Sequence, residues 1–292
     1  MRINLNGKLV SRQEAAISVY DHGLLYGDGV FEGIRAYSGR VFRLENHIRR
    51  LYDSAKALLL RIPLSPARMR QEVLKTLADN GLKDAYIRLV VTRGEGDLGL
   101  DPDKCPRPNW FIIADHMKLY PEHFYRQGLS LVTVPTRRNA VESLSPKIKS
   151  LNYLNNIMAK IEAGQRGAPE AILMTSEGYV AECTGDNIFI LRQGRLLTPP
   201  CYLGALEGIT RQAVMEIAGK LRIPTFEEPF TRYDLYTSDE IFLTGTAAEL
   251  VPVVEVDKRP VGGGRPGPVT ARLLAKFREL TRRDGVRIPL KG

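Results

Sequence analysis

The sequence has few cysteines and no long apolar run. Only three of its 292 residues are cysteine (Cys105, Cys183 and Cys201), and no two of them are close together. This sparse, odd usage argues against a disulfide framework or a zinc cluster and fits a reducing cytosol, which is the location that we expect. The longest apolar stretches, such as 87–91, are far too short to cross a bilayer. The first residues lack an apolar segment, so we expect no secretory signal and no membrane partner.

Signature motifs of several enzyme classes are also missing. Neither the G-x-x-x-x-G-K-[ST] phosphate loop nor the G-x-S-x-G nucleophile elbow occurs. Gly27-Asp-Gly29 lacks the third glycine and the following helix of a dinucleotide fingerprint. The four histidines never reach metal-ligand spacing, so we expect no metal site.

Positive charge is in excess but is not clustered. The chain carries 42 Lys and Arg residues against 33 Asp and Glu residues, a formal net charge of +9. The densest basic spots, such as Arg49-Arg50, are pairs rather than tracts. We interpret the charge as a basic surface that attracts small anionic substrates, and we expect no nucleic-acid partner.

Strand and helix patterns alternate along the whole chain. Asn6-Gly7 and Ser38-Gly39 each separate two strand-like runs and predict two hairpins. Hydrophobic periodicity predicts the helices 45–60, 65–80, 152–165, 210–221 and 269–283 and the strands 3–5, 8–10, 30–37, 40–42, 85–92, 110–114, 129–135, 171–175, 187–191 and 240–243.

The alternation breaks in the polar stretch around Tyr120-Pro121, and this break predicts the domain organisation. We expect an N-terminal α/β domain at 1–116, a linker at 117–128 and a C-terminal α/β domain at 129–292 that carries Lys149. The fold class is α/β (α+β), with mixed or antiparallel sheets flanked by helices.

Two predicted strands carry residues suited to a ligand. Phe31, Gly33 and Arg35 share one strand face, and a glycine between an aromatic ring and an arginine leaves room for a flat ligand. Tyr86 and Arg88 have the same spacing, and a hydroxyl beside a guanidinium can hold a carboxylate. A surface arginine or an edge-strand ion pair explains each pattern equally well on its own.

Two lysines, Lys147 and Lys149, precede a predicted helix that has Tyr153 in its first turn. A lysine that forms a Schiff base must be partly desolvated, so that some of it is unprotonated near neutral pH. The neighbouring Ile148 and Leu151 are apolar and could provide that environment. Most lysines are exposed, so the pattern alone assigns no function.

Three later segments suit an anionic, ring-containing cofactor. Glu182 lies between two strand-like runs, where its carboxylate could pair with a protonated ring nitrogen. Gly208-Ile-Thr-Arg211 opens a helix whose backbone N–H groups suit a phosphate. The small-residue turn after Leu243 is a second place where backbone amides can meet an anion.

Taken in this order, the segments resemble the fold-type-IV pyridoxal-phosphate family, and its branched-chain aminotransferases most closely. The likeness covers nearly the whole chain, and several ordered matches are far more specific than any one of them. The matching segments are Tyr26-Gly…Phe31-Glu-Gly-Ile-Arg35, His47…Arg50-Leu-Tyr-Asp-Ser-Ala-Lys56, Ala85-Tyr86-Ile-Arg88, Lys149-Ser-Leu-Asn-Tyr153-Leu, Glu182…Gly185-Asp-Asn187, Gly208-Ile-Thr210-Arg and Gly245-Thr246-Ala-Ala-Glu249.

The resemblance implies a two-domain fold with the active site at the domain interface, and pyridoxal 5′-phosphate as cofactor. Its implied cofactor contacts are Lys149 at the covalent link, Glu182 at the pyridine nitrogen, Tyr153 at the phenolic oxygen, and Arg50, Ile209, Thr210 and Thr246 at the phosphate. Its implied substrate contacts are Tyr86, Thr246 and Ala247 at the α-carboxylate, Arg88 with Tyr26 at the side-chain carboxylate of glutamate, Phe31 in the apolar part, and Arg35 as a supporting residue.

The resemblance implies ping-pong transamination between L-leucine, isoleucine or valine and 2-oxoglutarate. It also implies a homodimer or larger assembly in which a loop of one subunit, for which we nominate 94–102, closes its neighbour's site. The spacing from Lys149 to Tyr153 is one residue shorter than in many branched-chain enzymes, and this form also occurs in D-amino-acid aminotransferases. Cys183 stands where many relatives have glycine.

Three alternatives therefore stay open: a D-amino-acid aminotransferase, an aminodeoxychorismate lyase and a non-enzymatic basic binding protein. The Phe-Glu-Gly-Ile-Arg and Gly-Thr-Ala-Ala segments favour the branched-chain interpretation.

Overall fold

The computed structural model describes residues 1–116 and 120–289. The chain forms two compact units, of which the first comprises Met1–Met117, Ile148–Asn152 and Thr281–Gly292 and the second comprises Lys118–Lys147 and Tyr153–Leu280.

The domain limits drawn from the sequence stay a proposal, and residues 117–119 of the proposed linker lie outside the described residues. The units differ from that proposal at 148–152, the segment that carries Lys149, which the sequence places in the C-terminal domain. This segment belongs to the first unit, because its backbone bonds to the strand that begins at Gly29.

An antiparallel seven-stranded sheet forms the centre of the first unit. Its strands are β1 (Ile3–Leu5), β2 (Lys8–Val10), β3 (Gly29–Tyr37), β4 (Arg40–Val41), β5 (Ala85–Thr92), β6 (Asn109–Asp115) and β16 (Val286–Arg287), in the order β16-β4-β3-β5-β6-β1-β2. The helices of this unit are α1 (His22–Leu25), α2 (Leu44–Ala57) and α3 (Pro66–Asp79).

Both predicted hairpins are present, and the backbone explains their sequences. Asn6 and Gly7 have φ of 50° and 87°, and Ser38 and Gly39 have φ of 48° and 80°. Two successive residues with positive φ are what a two-residue hairpin turn requires, and asparagine and glycine tolerate this conformation best.

Helix α2 covers β3 with an apolar face that includes Leu44, Ile48 and Leu51, all buried in the core of the first unit. The helix ends at Ala57, earlier than its periodicity predicts. Leu59 adopts a φ of 51°, and Leu60 N donates back to Ala55 O over 2.8 Å. This turn stops the helix and returns Leu60 to the core.

A mixed nine-stranded sheet forms the centre of the second unit. Its strands are β7 (Leu129–Arg137), β8 (Glu170–Met174), β9 (Val180–Cys183), β10 (Asn187–Arg192), β11 (Arg195–Thr198), β12 (Thr225–Glu227), β13 (Glu240–Gly245), β14 (Glu249–Val256) and β15 (Arg259–Pro260), in the order β12-β11-β10-β13-β14-β7-β8-β9 with β15 on β14. The later helices are α4 (Glu122–Gln127), α5 (Leu154–Gln165), α6 (Ile209–Lys220), α7 (Arg232–Tyr236) and α8 (Pro268–Arg283).

The fold class expected from the sequence, mixed or antiparallel sheets flanked by helices, is confirmed. Strand β14 is the main omission from the sequence prediction, because Pro252 lies inside it and a proline argues against a central strand. Pro252 faces Phe242 of β13, and the ladder between β14 and β7 begins only at Val253. Within 1–116 and 120–289, none of the helices combines the length and apolar character needed to cross a bilayer.

Candidate active site

One face of β3 and β5 carries the predicted substrate residues of the first unit. The register sets Gly33 opposite Arg88 and Arg35 opposite Tyr86, so these side chains point to the same side. The guanidinium carbon of Arg88 lies 4.5 Å from the ring centre of Phe31 and 5.6 Å from that of Tyr86. The structure therefore brings Phe31, Tyr86 and Arg88 together.

Gly33 serves this face in a different way from the one expected. The sequence suggests that its missing side chain leaves room for a flat ligand. In the structure that space holds the phenol of Tyr86, and a Cβ on Gly33 would overlap the Tyr86 hydroxyl. Glycine at this position lets Tyr86 lie across the strand.

Lys149 lies beside the same face. Its carbonyl accepts a hydrogen bond from Phe31 N at 3.0 Å, and Leu151 N donates to Gly29 O at 2.9 Å. Ser54 of α2 accepts a hydrogen bond from Lys149 N at 3.1 Å. The amine Nζ lies 4.4 Å from the ring centre of Phe31. The backbone on both sides of Lys149 is thus fixed, and its half-buried side chain lies against an aromatic ring.

The two candidate lysines have different surroundings. Lys147 is about half exposed and forms an ion pair with Glu207 over 2.8 Å. The hydrogen bond from Lys147 to Glu207 raises the pKa of this lysine above its ordinary value. A lysine held protonated is a poor nucleophile. The structure therefore favours Lys149 over Lys147 as the reactive amine.

A buried ion cluster supports the reverse side of β3. Glu32 is completely buried and accepts a hydrogen bond from His47 Nδ1 at 2.7 Å. Arg50 binds the same carboxylate through two nitrogens, at 2.7 and 2.9 Å. His47 and Arg50 stand one turn apart on α2, so both reach Glu32. Arg50, which the resemblance assigns to a phosphate, is thus oriented by Glu32.

The charges of this cluster follow from its burial. Burial alone would raise the pKa of Glu32, but the charge of Arg50 and the hydrogen bond from His47 lower it to about 2. Burial lowers the pKa of His47 below its ordinary value, against the pull of Glu32. His47 is therefore neutral at pH 7, and its Nδ1 carries the hydrogen that it donates.

Glu182 is held equally firmly in the second unit. Its Oε1 accepts from Arg138 Nη2 at 2.7 Å, and its Oε2 accepts from Leu206 N at 2.8 Å and from Asn187 Nδ2 at 3.2 Å. The side chains of Arg138 and Glu182 are 8% and 7% exposed. Arg138 also donates to Gly204 O at 3.0 Å, which fixes its guanidinium. The arrangement keeps an oriented carboxylate in a protein interior.

Asn187 connects Glu182 to the start of α6. Gly208, the residue before this helix, has no space for a side chain because a Cβ would overlap Asn187 Oδ1. No side chain in the described part of the protein caps α6, whose first residues Ile209 and Thr210 are buried. The first-turn N–H groups of a helix attract anions. A carboxylate and an anion-binding helix start are therefore neighbours in this unit.

The remaining predicted residues vary in their surroundings. Thr246 and Ala247 form the half-buried turn between β13 and β14. Tyr153 caps the start of α5 rather than lying in its first turn. The hydroxyl of Tyr26 donates to Leu98 O at 2.6 Å, in the 94–102 loop, rather than approaching Arg88. The guanidinium carbon of Arg35 lies 4.7 Å from the ring centre of Tyr37.

Sequence reasoning missed the residues that hold the predicted ones. Glu32 alternates with Phe31 and so had to point into the core, where a carboxylate needs partners. That signal could have paired it with His47, which periodicity alone places on the packing face of its helix, and with Arg50. No local signal could have found Arg138, which lies 44 residues before Glu182.

These residues fit pyridoxal phosphate. The first unit offers an oriented, partly buried amine at Lys149, and the second offers a fixed carboxylate at Glu182 beside an uncapped helix start. Thr244, in the strand beside Asn187, has a buried hydroxyl with no hydrogen-bond partner among residues 1–116 and 120–289. An amine, a carboxylate and phosphate-binding donors are the groups that this cofactor requires.

Comparison with known proteins identifies the family. The amino-transferase class IV family model matches residues 29–256, and the chain belongs to this family. A Methanocaldococcus jannaschii protein, provisionally assigned as a branched-chain-amino-acid aminotransferase, is 53% identical over 288 residues, which are 99% of each chain. The family expected from the sequence is confirmed.

Two further comparisons bear on substrate and cofactor. A branched-chain amino acid aminotransferase of T.th., solved with pyridoxamine 5′-phosphate, superposes with a TM-score of 0.92 at 39% identity, covering 96% of this chain and 93% of that one. A D-alanine aminotransferase of Listeria monocytogenes is 37% identical over 288 residues, 98% of each chain.

Proposed function

We propose that the protein transfers the amino group of L-leucine, L-isoleucine or L-valine to 2-oxoglutarate, with pyridoxal 5′-phosphate as cofactor, in the cytoplasm. The observation that carries this proposal is the face formed by Phe31, Arg88 and Lys149. An apolar ring lies within 4.5 Å of both a guanidinium carbon and an amine nitrogen. Such a face can take the apolar side chain of leucine and, in the other half-reaction, the side-chain carboxylate of glutamate.

Lys149 is the catalytic residue of this proposal. It anchors the cofactor through its amine and, once released, carries the proton between the substrate Cα and the cofactor. The bound cofactor supplies the electron sink that stabilises negative charge at Cα. Glu182 stays anionic, because Arg138 and two N–H donors bind it, and accepts a hydrogen bond from the ring nitrogen.

The other roles follow the chemistry of each group. Ile209, Thr210 and Thr246 offer donors to the phosphate, and Arg50 adds a guanidinium oriented by Glu32. Tyr153 donates to the phenolic oxygen. Tyr86, with the backbone at Thr246-Ala247, receives the α-carboxylate. Tyr26 and Arg35 border the substrate face.

An assembly of two or more copies belongs to the proposal. The 94–102 loop exposes two leucines, Leu98 and Leu100, which are 69% and 78% exposed. A surface of this kind suits contact with a second copy of the chain. If the loop closes a neighbour's site, mixing inactive Lys149→Ala subunits with Leu98→Ser/Leu100→Ser subunits restores activity. No restoration means that the loop serves its own subunit.

A substrate panel tests the proposed reaction. Purified enzyme with pyridoxal phosphate and 2-oxoglutarate should form glutamate from L-leucine, L-isoleucine and L-valine far faster than from D-alanine. Faster turnover of D-alanine would instead support a D-amino-acid aminotransferase, the alternative that the Listeria relative and the short Lys149–Tyr153 spacing favour. Release of pyruvate from aminodeoxychorismate without an amino acceptor would support a lyase.

A further inference from the structure

Thr244, near the end of β13, carries a buried hydroxyl that the fold does not use. Its side chain is 1% exposed, and its Oγ1 has no hydrogen-bond partner in the part of the chain that the structure describes. Thr76 and Thr270 are equally buried, yet each donates to an oxygen at 2.7 Å. Burying a hydroxyl without a partner opposes folding, so proteins seldom retain one without a use for it.

The sheet register fixes the side to which Thr244 points. Thr244 stands directly opposite Asn187 in the antiparallel ladder of β13 and β10, so the two side chains share a face. On that face Asn187 Nδ2 binds Glu182 Oε2 and Leu206 O, at 3.2 and 2.9 Å. Thr244 is therefore beside the residue that holds the proposed ring-nitrogen partner.

The start of α6 lies over the same face. Helix α6 packs against β13, and Gly208 approaches Asn187 too closely for any side chain. The chain also turns immediately after Thr244, through Gly245 into Thr246. The unused hydroxyl is thus next to two groups of backbone N–H donors, the uncapped helix start and the turn.

We propose that Thr244 Oγ1 donates a hydrogen bond to the phosphate group of pyridoxal 5′-phosphate, an inference that rests on the proposed function. A phosphate presents several acceptor oxygens, and a hydroxyl among backbone amides is a suitable donor to one of them. Thr244 then belongs with Thr210 and Thr246 as a third hydroxyl for this group. The hydroxyl that opposes folding of the free protein is used when the cofactor binds.

Substitution by valine separates a role in binding from a role in folding. Valine nearly matches the shape of threonine, so Thr244→Val should leave the thermal midpoint of the cofactor-free protein unchanged or higher. Its affinity for pyridoxal phosphate, measured by fluorescence titration, should be about tenfold weaker. Its affinity for pyridoxal, which lacks the phosphate, should equal that of the wild type. Thr244→Ser keeps the hydroxyl and should bind as the wild type does.

Thr76→Val is the matched control, because it removes a buried hydroxyl that has a partner in the fold. It should lower the thermal midpoint of the cofactor-free protein and leave cofactor affinity unchanged. Wild-type affinity in Thr244→Val, or an equal loss for pyridoxal and its phosphate, would overturn the inference. Failure of the wild type itself to bind pyridoxal phosphate would instead refute the proposed function.

Discussion

Arg138 donates a hydrogen bond to Glu182 over 2.7 Å, and both side chains are more than nine-tenths buried. Neither charge could be left alone in the interior at low cost, because removing one partner of a buried pair strands the other. The pair therefore fixes both the position and the ionisation of the carboxylate that we assign to the cofactor ring.

The first prediction concerns this pair. Arg138→Met and Glu182→Gln should each lower the free energy of unfolding by about 3 kcal/mol, as measured by urea denaturation. The double variant should lose about 1–2 kcal/mol less than the sum of the single losses, since neither charge is then stranded. Arg195→Met removes one partner of a pair whose side chains are 45% and 41% exposed, and it should cost less than about 1 kcal/mol. Additive losses at Arg138 and Glu182 would show that the two residues act independently.

The second prediction is an acid dependence that arises from Glu32. Its folded-state pKa of about 2 lies below the ordinary 4.5, so the stability that it contributes is present above pH 4.5 and is lost as the pH falls toward 2. This contribution is roughly 3 kcal/mol. Glu32→Gln should be less stable than the wild type at pH 7 and should show a shallower decline between pH 5 and pH 3. Parallel decline of the two proteins would contradict the assignment.

The third prediction has the opposite sign. Burial, followed by the charge of Glu170, raises the pKa of Asp186 to about 7, while a hydrogen bond from Tyr120 at 3.0 Å opposes the rise. A raised carboxyl pKa gives stability that is present below the ordinary 3.8 and is lost as the pH rises through 7. Asp186→Asn should gain on the wild type by roughly 3 kcal/mol between pH 4 and pH 8. Denaturation at both pH values measures this gain, and a constant difference would refute it.

The fourth prediction tests the role of Gly33. A Cβ at this position would overlap the Tyr86 hydroxyl, so Gly33→Ala should displace Tyr86 from the substrate face. The KM for L-leucine should rise about tenfold, with cofactor affinity unchanged, because one hydrogen bond to a charged carboxylate is lost. Gly219→Ala is the control, since a Cβ there meets nothing within 4 Å. An unchanged KM in Gly33→Ala would remove Tyr86 from the α-carboxylate site.

Local chemistry was the part of this protein that the sequence could predict. The two-residue period of β3 and β5 correctly placed Phe31, Tyr86 and Arg88 on one face. The Asn-Gly and Ser-Gly turns predicted both hairpins because few residues tolerate positive φ. The family signature, which depends on such short ordered segments, was equally accessible.

Long-range pairing was the part that it could not predict. The partners of Glu182 come from positions 138, 187 and 206, and nothing in their spacing relates them. Strand β14 was missed because Pro252 mimics a strand breaker, and only the late start of its pairing with β7 makes the proline harmless. The place of Lys149 depends on backbone bonds to a strand more than a hundred residues earlier.

The most direct test of the account is to find which amine holds the cofactor. Borohydride reduction of the protein loaded with pyridoxal phosphate should abolish its visible absorbance and leave a phosphopyridoxyl group on Lys149, identified by mass spectrometry of the digested chain. The modification should be absent from Lys149→Ala. A phosphopyridoxyl group on Lys147, or none on any lysine, would contradict the central claim.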